Sequence, residues 1–201
     1  LSLKTKVIQS VFWGHGDLWL AYTQTAYWQI YNNKLSRPFR ELNYEPELIL
    51  NFGINANIFG FKARTLGISL NHQSNGRELP KSRSWNRIIF HTGLERGNWI
   101  LVLKPWIRLP DDDDENPLIT DFIGRVEANI IYSYKNHRIF LIATNSIRAK
   151  NNRGSAQLNY MFPIQGNLRG HLQLFEGYGE TLIDYNHRQS TIGLGISLVD
   201  W

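Results

Sequence analysis

Apolar and polar positions alternate with a period of two along almost the whole chain. Leu18, Leu20, Tyr22, Gln24, Ala26, Trp28 and Ile30 share one face of residues 17–30, while Trp19, Ala21, Thr23, Thr25, Tyr27 and Gln29 take the other. Residues 48–58 oppose Leu48, Leu50, Phe52, Ile54, Ala56 and Ile58 to Asn51, Gly53, Asn55 and Asn57. Residues 122–134 set Phe122, Val126, Ala128, Ile130 and Tyr132 against Arg125, Glu127, Asn129 and Ser133, and the last segment alternates Ile192, Leu194, Ile196 and Leu198 with Gly193, Gly195 and Ser197. A period of two predicts strands, because successive side chains of an extended chain point to opposite faces.

The predicted strands run to roughly ten residues, longer than the five or six usual in soluble sheets. One face of each is apolar and the other carries Asn, Gln, Arg, Glu and Gly. Two architectures hide such a face: a sandwich, which buries it against a second sheet, and a transmembrane barrel, which turns it to lipid. Strand length and the aromatic residues near strand ends (Trp28, Trp106, Tyr160 and Trp201) favour the barrel. Short turns are expected near Gly14-His15-Gly16, Phe59-Gly60, Arg96-Gly97-Asn98, Lys135-Asn136-His137 and Pro163-Ile164-Gln165-Gly166, and longer loops near 32–46, 73–83, 108–120, 147–153 and 178–189. Short turns at one end and long loops at the other form the outer-membrane pattern. The expected fold is all-β: one antiparallel transmembrane β-barrel domain over residues 1–201. The pattern shows about eleven strands where bacterial barrels have even numbers, so a further strand is expected upstream of Leu1.

Composition narrows the picture. Hydrophobic residues make up 42% of the 201 residues, and no run approaches the roughly 18 apolar residues of a membrane helix. Without cysteine there is no thiol chemistry. The net charge of +5 comes from 22 scattered Lys and Arg, with no cluster suited to nucleic acid, so no nucleic-acid partner is expected. The acidic run Asp111-Asp112-Asp113-Asp114-Glu115 reads as a solvated loop or as a cation site.

The stretch from Leu66 to Asn86 carries the candidate chemistry. Leu66, Ile68, Leu70, His72 and Ser74 share the apolar face of one strand, and Asn86 shares the face of Ile88 and Phe90 on the next. A His, a Ser and an Asn are thereby turned toward lipid at the long-loop end. Uncompensated polar groups in hydrocarbon are costly, and a hydrolase acting on the membrane itself would account for them. His72 beside Ser74 suits a general base activating a hydroxyl, and Asn86 suits the group that orients the imidazole. The bland alternative is polar residues lying among headgroups. Gln24, the one strongly polar residue on its apolar face, is read either as a headgroup-level misfit or as a contact between two barrels.

The segments His72-Gln73-Ser74-Asn75-Gly76-Arg77 and Ser82-Arg83-Ser84-Trp85-Asn86-Arg87 resemble the active-site signature of the outer membrane phospholipase A family. The resemblance continues through residues 38–46, Gly97-Asn98-Trp99, Lys104-Pro105-Trp106 and residues 177–186. It implies a twelve-stranded barrel in the bacterial outer membrane and calcium-dependent phospholipase A1, A2 and lysophospholipase activity, activated by homodimerisation. By that resemblance Ser74 is the nucleophile, His72 the base and Asn86 the orienting residue. Calcium would be held by the Arg77 carbonyl and the Ser82 hydroxyl of one subunit and Ser36 of the partner subunit, with Gln24 in the dimer interface. The substrates implied are phospholipids and lysophospholipids. The chain departs from the family at Leu79, where an aspartate serves a secondary calcium site; Glu78, Asp113 or Asp114 would have to compensate. A passive barrel, serving as a small pore or a structural protein, and a soluble lipid-binding barrel are the competing readings.

Overall fold

The computed structural model describes residues 1–197, so Leu198 and Trp201 lie outside the described residues. Among the described residues, eleven antiparallel strands form one meandering sheet in sequence order: β1 Ser2–Ile8, β2 Asp17–Trp28, β3 Phe39–Ile58, β4 Phe61–Ser74, β5 Ser84–Arg96, β6 Trp99–Arg108, β7 Val126–Tyr134, β8 His137–Asn145, β9 Gly154–Gln165, β10 Leu168–Gly177 and β11 Gln189–Ser197. Among the described residues β1 pairs only with β2 and β11 only with β10, leaving the sheet open between them. One short helix, α1 (Ile119–Phe122), interrupts the long loop between β6 and β7. No helix among the described residues is long and apolar enough to cross a membrane.

Turn chemistry explains the short end. Phe59 and Gly60 have φ of 50° and 81° and join β3 to β4 in a two-residue connection. Positive φ at both central residues gives a turn whose twist matches that of the flanking strands. The other end carries the loops 75–83, 109–125, 146–153 and 178–188.

Two expectations need correction. The loop foreseen over 32–46 is shorter, because β3 begins at Phe39. Its polar residues read as loop, yet Glu41, Asn43 and Glu45 alternate inward along β3, where Glu41 accepts from the Ile183 amide and Glu45 from Arg87. Trp106 is no girdle residue: it is buried on the lumen side, edge-to-face with Trp85 at 6.1 Å. There it joins Ile89, Ile119, Leu182 and Tyr185, with Phe122 and Ile123 packed alongside. The loops carrying α1 and residues 178–188 thus fold back into the barrel mouth and bury apolar surface inside it. Trp28 does lie exposed at a strand end, stacked on Phe39.

Along β4 the outward face is apolar and the inward face mostly polar. On β4, Leu66, Ile68 and Leu70 are exposed, while Gly67, Ser69 and Asn71 between them are buried. Inside, Ser69 Oγ donates to Glu47 at 2.5 Å and lies 2.7 Å from His91 Nε2, Lys104 pairs with Glu127 at 2.9 Å, and Asn159 meets His171 at 3.0 Å. Buried polar groups are affordable when partnered, and these contacts fill much of the lumen. A cavity of about 300 Å³ remains, bordered by Asn43, Arg87, Glu127 and Glu180.

Candidate active site

β4 and β5 set His72 directly opposite Asn86 and Ser74 opposite Ser84. The imidazole Nδ1 of His72 lies 2.8 Å from Asn86 Oδ1. Since an amide oxygen can only accept, Nδ1 carries the proton and Nε2 is left as the basic nitrogen. Ser74 follows two residues later on the same outward face and is half-buried. Among the described residues its hydroxyl makes no hydrogen bond, to His72 or elsewhere. Such contacts are commonly loose without substrate and tighten in the complex. The sheet therefore brings all three sequence-predicted residues to one place on the lipid-facing surface.

Beside them runs an open groove of about 490 Å³, bordered by Leu20, Pro46, Leu48, Leu70, His72, Asn86, Leu109 and Pro110. Its walls are apolar side chains of β2, β3 and β4, with the imidazole and amide set into them.

The loop 75–83 is held from within. Asn75 is buried; its Oδ1 accepts from the amides of Arg77 and Arg83, and its Nδ2 donates to the Lys81 carbonyl. Gly76 has φ +60°, and a Cβ there would meet the Tyr44 ring at 3.0 Å. The Arg77 guanidinium donates to the Arg40 carbonyl. Ser82 Oγ donates to Glu115 Oε2 at 2.5 Å, and the Ser84 amide to Asn116 Oδ1. Periodicity assigned no individual role to Asn75, Glu115 or Asn116. Asn75 and Asn116 act through loop contacts that no periodicity reports, and Glu115 stood only as one member of an acidic run.

The resemblance named three calcium-binding oxygens. Ser82 and Arg77 share the one loop; Ser36 lies exposed on the loop between β2 and β3, at φ 59°. Hydroxyl and carbonyl oxygens with a carboxylate in hydrogen-bond contact are the donors a hard cation takes, so the chemistry of this rim fits calcium. No cluster of three or more His, Asp or Glu stands ready for a metal among the described residues. Leu79 is exposed, and Asp114 is committed to Arg108 at 2.5 Å and to the Asn116 amide. Gln24 faces outward on β2 beside Tyr22, whose hydroxyl donates to Gln24 Oε1 at 3.4 Å.

The family model for phospholipase A1 matches residues 1–198. A putative phospholipase A1 of Neisseria meningitidis is 40% identical over all of this chain, which spans 53% of that relative's length. The phospholipase A1 of Escherichia coli is 38% identical, again over the whole chain and over 68% of the relative. The solved outer membrane phospholipase A of Escherichia coli superposes with a TM-score of 0.93 at 36% identity, covering all of this chain and 82% of that one. The calcium-bound dimer of the Salmonella typhi outer membrane phospholipase gives the same score and identity, over all of this chain and 77% of its own. The chain belongs to the phospholipase A1 family.

Proposed function

We propose that this chain hydrolyses acyl esters of phospholipids and lysophospholipids from within the bacterial outer membrane, with Ser74 as nucleophile. The observation that carries the reading is the His72–Asn86 hydrogen bond, set on a lipid-facing surface beside Ser74 and an apolar groove. A polar, oriented imidazole has no structural task on such a face, whereas a hydrolase of membrane lipid needs one there.

His72 Nε2 takes the Ser74 proton as Oγ attacks the ester carbonyl carbon. The carbon–oxygen bond to the glycerol then breaks, and His72 returns the proton to the departing lysophospholipid. Water, deprotonated by the same nitrogen, attacks the acyl-serine, and the fatty acid leaves as Ser74 regains its proton. Asn86 keeps Nδ1 protonated throughout and so keeps Nε2 basic. Being neutral, it stabilises the imidazolium less than a carboxylate would, but it sits in an apolar setting at lower cost.

The Arg77 carbonyl and Ser82 hydroxyl of one subunit, with Ser36 of the partner subunit, would hold calcium; the Salmonella typhi relative is a dimer with bound calcium. When bound, calcium supplies positive charge against the developing oxyanion. Two copies would meet along the outward faces of β2 and β3, where Leu20, Gln24, Trp28, Phe39 and Leu48 lie. Gln24 would find there the polar partner that hydrocarbon denies it. One solved Escherichia coli relative is an active-site variant with an asparagine replaced by alanine, which supports assigning an asparagine to this kind of site.

A long-chain alkylsulfonyl fluoride tests the assignment. Added with calcium to detergent-refolded protein, it is expected to modify Ser74 alone, as read by peptide mass spectrometry, and to leave Ser74→Ala unmodified. Modification of another serine, or none in folded protein, would overturn the assignment.

A further inference from the structure

We propose that Arg87, on the lumen side of the barrel, is a positioning residue for the outward His72–Asn86 pair. The inference rests on the reading of that pair as part of the active site. Three consecutive opposed pairs between β4 and β5 are Asn71–Arg87, His72–Asn86 and Gln73–Trp85. Each is joined side chain to side chain. The middle pair bonds on the lipid face and its two neighbours on the lumen face. No other directly opposed pair of these two strands is so joined among the described residues.

The inner bonds are short and mutually supported. Arg87 donates from Nε and a terminal nitrogen to Asn71 Oδ1 at 3.0 and 2.6 Å. Trp85 Nε1 donates to Gln73 Oε1 at 2.8 Å, and Arg87 reaches the same oxygen at 3.5 Å. Glu45 on β3 accepts from both Arg87 at 2.8 Å and Asn71 at 2.9 Å, tying a third strand into the clamp. The guanidinium lies 4.0 Å from the Trp85 ring centre and 5.4 Å from that of Trp106. A planar cation stacked on aromatics and bonded through its edge can adopt few other positions.

This arrangement supplies what the outer face cannot. Backbone hydrogen bonds set register, but the twist between neighbouring strands varies by tens of degrees from sheet to sheet. A cross-strand bond from His72 to Asn86 requires its two atoms to stay within roughly 0.5 Å of the best separation. On the lipid side a clamp would obstruct the substrate. On the lumen side it fixes the twist one residue before and one residue after the pair that must be held. A buried arginine is otherwise an expensive way to fill a lumen, and here its cost falls at the catalytic level of the barrel.

The test is a double-mutant cycle on hydrolysis of phospholipid in mixed micelles at saturating calcium, using Arg87→Met, Asn86→Ala and both together. Folded barrel is verified by heat-modifiable gel migration. Arg87→Met is expected to lower kcat about tenfold with KM unchanged, close to the effect of Asn86→Ala. The double variant is expected to fall less than about twofold below Asn86→Ala alone, since both changes remove one function. Arg87→Lys, which keeps charge without the fork, should lie between wild type and Arg87→Met. Asn159→Leu, on the opposite wall, should leave kcat unchanged. A folded Arg87→Met at full kcat, or a loss that multiplies fully with that of Asn86→Ala, would overturn the role. If Arg87→Met does not fold, Gln73→Leu carries the same cycle without leaving a buried carboxylate unpaired. Ser74→Ala is assayed alongside. Hydrolysis retained there defeats the serine-hydrolase reading itself, whereas hydrolysis lost there with Arg87→Met unaffected defeats only the positioning role.

Discussion

Replacing Asn86 with alanine removes a single bond, that to His72 Nδ1 at 2.8 Å, and leaves Ser74 and the imidazole in place. A hydrogen bond between neutral groups is worth about 0.5–1.5 kcal/mol net. At about 1.4 kcal/mol per decade of rate, its loss from the transition state slows turnover roughly two- to twelvefold. An ionised orienting residue would be worth far more, on the order of 10⁴ in the serine proteases, because it also stabilises imidazolium charge. Asn86 carries no charge, so the smaller figure applies. The prediction is that kcat for fatty-acid release from mixed micelles falls about tenfold, with KM unchanged because the groove is intact. The remaining activity should still be lost in Ser74→Ala. A kcat within twofold of wild type would show that the bond has no catalytic role. A loss beyond roughly 1000-fold would show that Asn86 does more than orient a neutral ring.

Ser82→Ala is expected to raise the calcium concentration for half-maximal activity by roughly tenfold, the worth of about one ligand contact, as read from calcium titrations of hydrolysis. A Cβ at Gly154 would meet the Thr144 carbonyl oxygen at 2.0 Å, whereas one at Gly195 would meet nothing within 4 Å. Gly154→Ala is thus expected to destabilise the barrel by about 2 kcal/mol or more and Gly195→Ala to leave the unfolding midpoint unchanged.

Strands and faces were legible because a barrel wall imposes a strict two-residue period, with lipid on one side and a polar lumen on the other. The outward placement of His72, Ser74 and Asn86 followed from that period, and the pairing of His72 with Asn86 needed only the register of one hairpin. Side-chain contacts between elements that are not neighbours were not legible. Arg87 meets Glu45 across 42 positions of sequence, and the Ile183 amide donates to Glu41 across 142. Trp106 misled for a related reason: an aromatic residue near a strand end suits a girdle, but its place in the alternation points inward to Trp85. Glu41 and Glu45 fell within the expected loop because their partners, the Ile183 amide and Arg87, lie on elements more distant in sequence.

Fatty-acid release from phospholipid in mixed micelles, measured for wild type and Ser74→Ala, first with calcium and then with a chelator, tests the serine-hydrolase assignment head-on. Wild type is expected to release fatty acid with calcium and little with the chelator, and folded Ser74→Ala none in either condition. Release by Ser74→Ala at the wild-type rate, or none from folded wild type with calcium present, would contradict it.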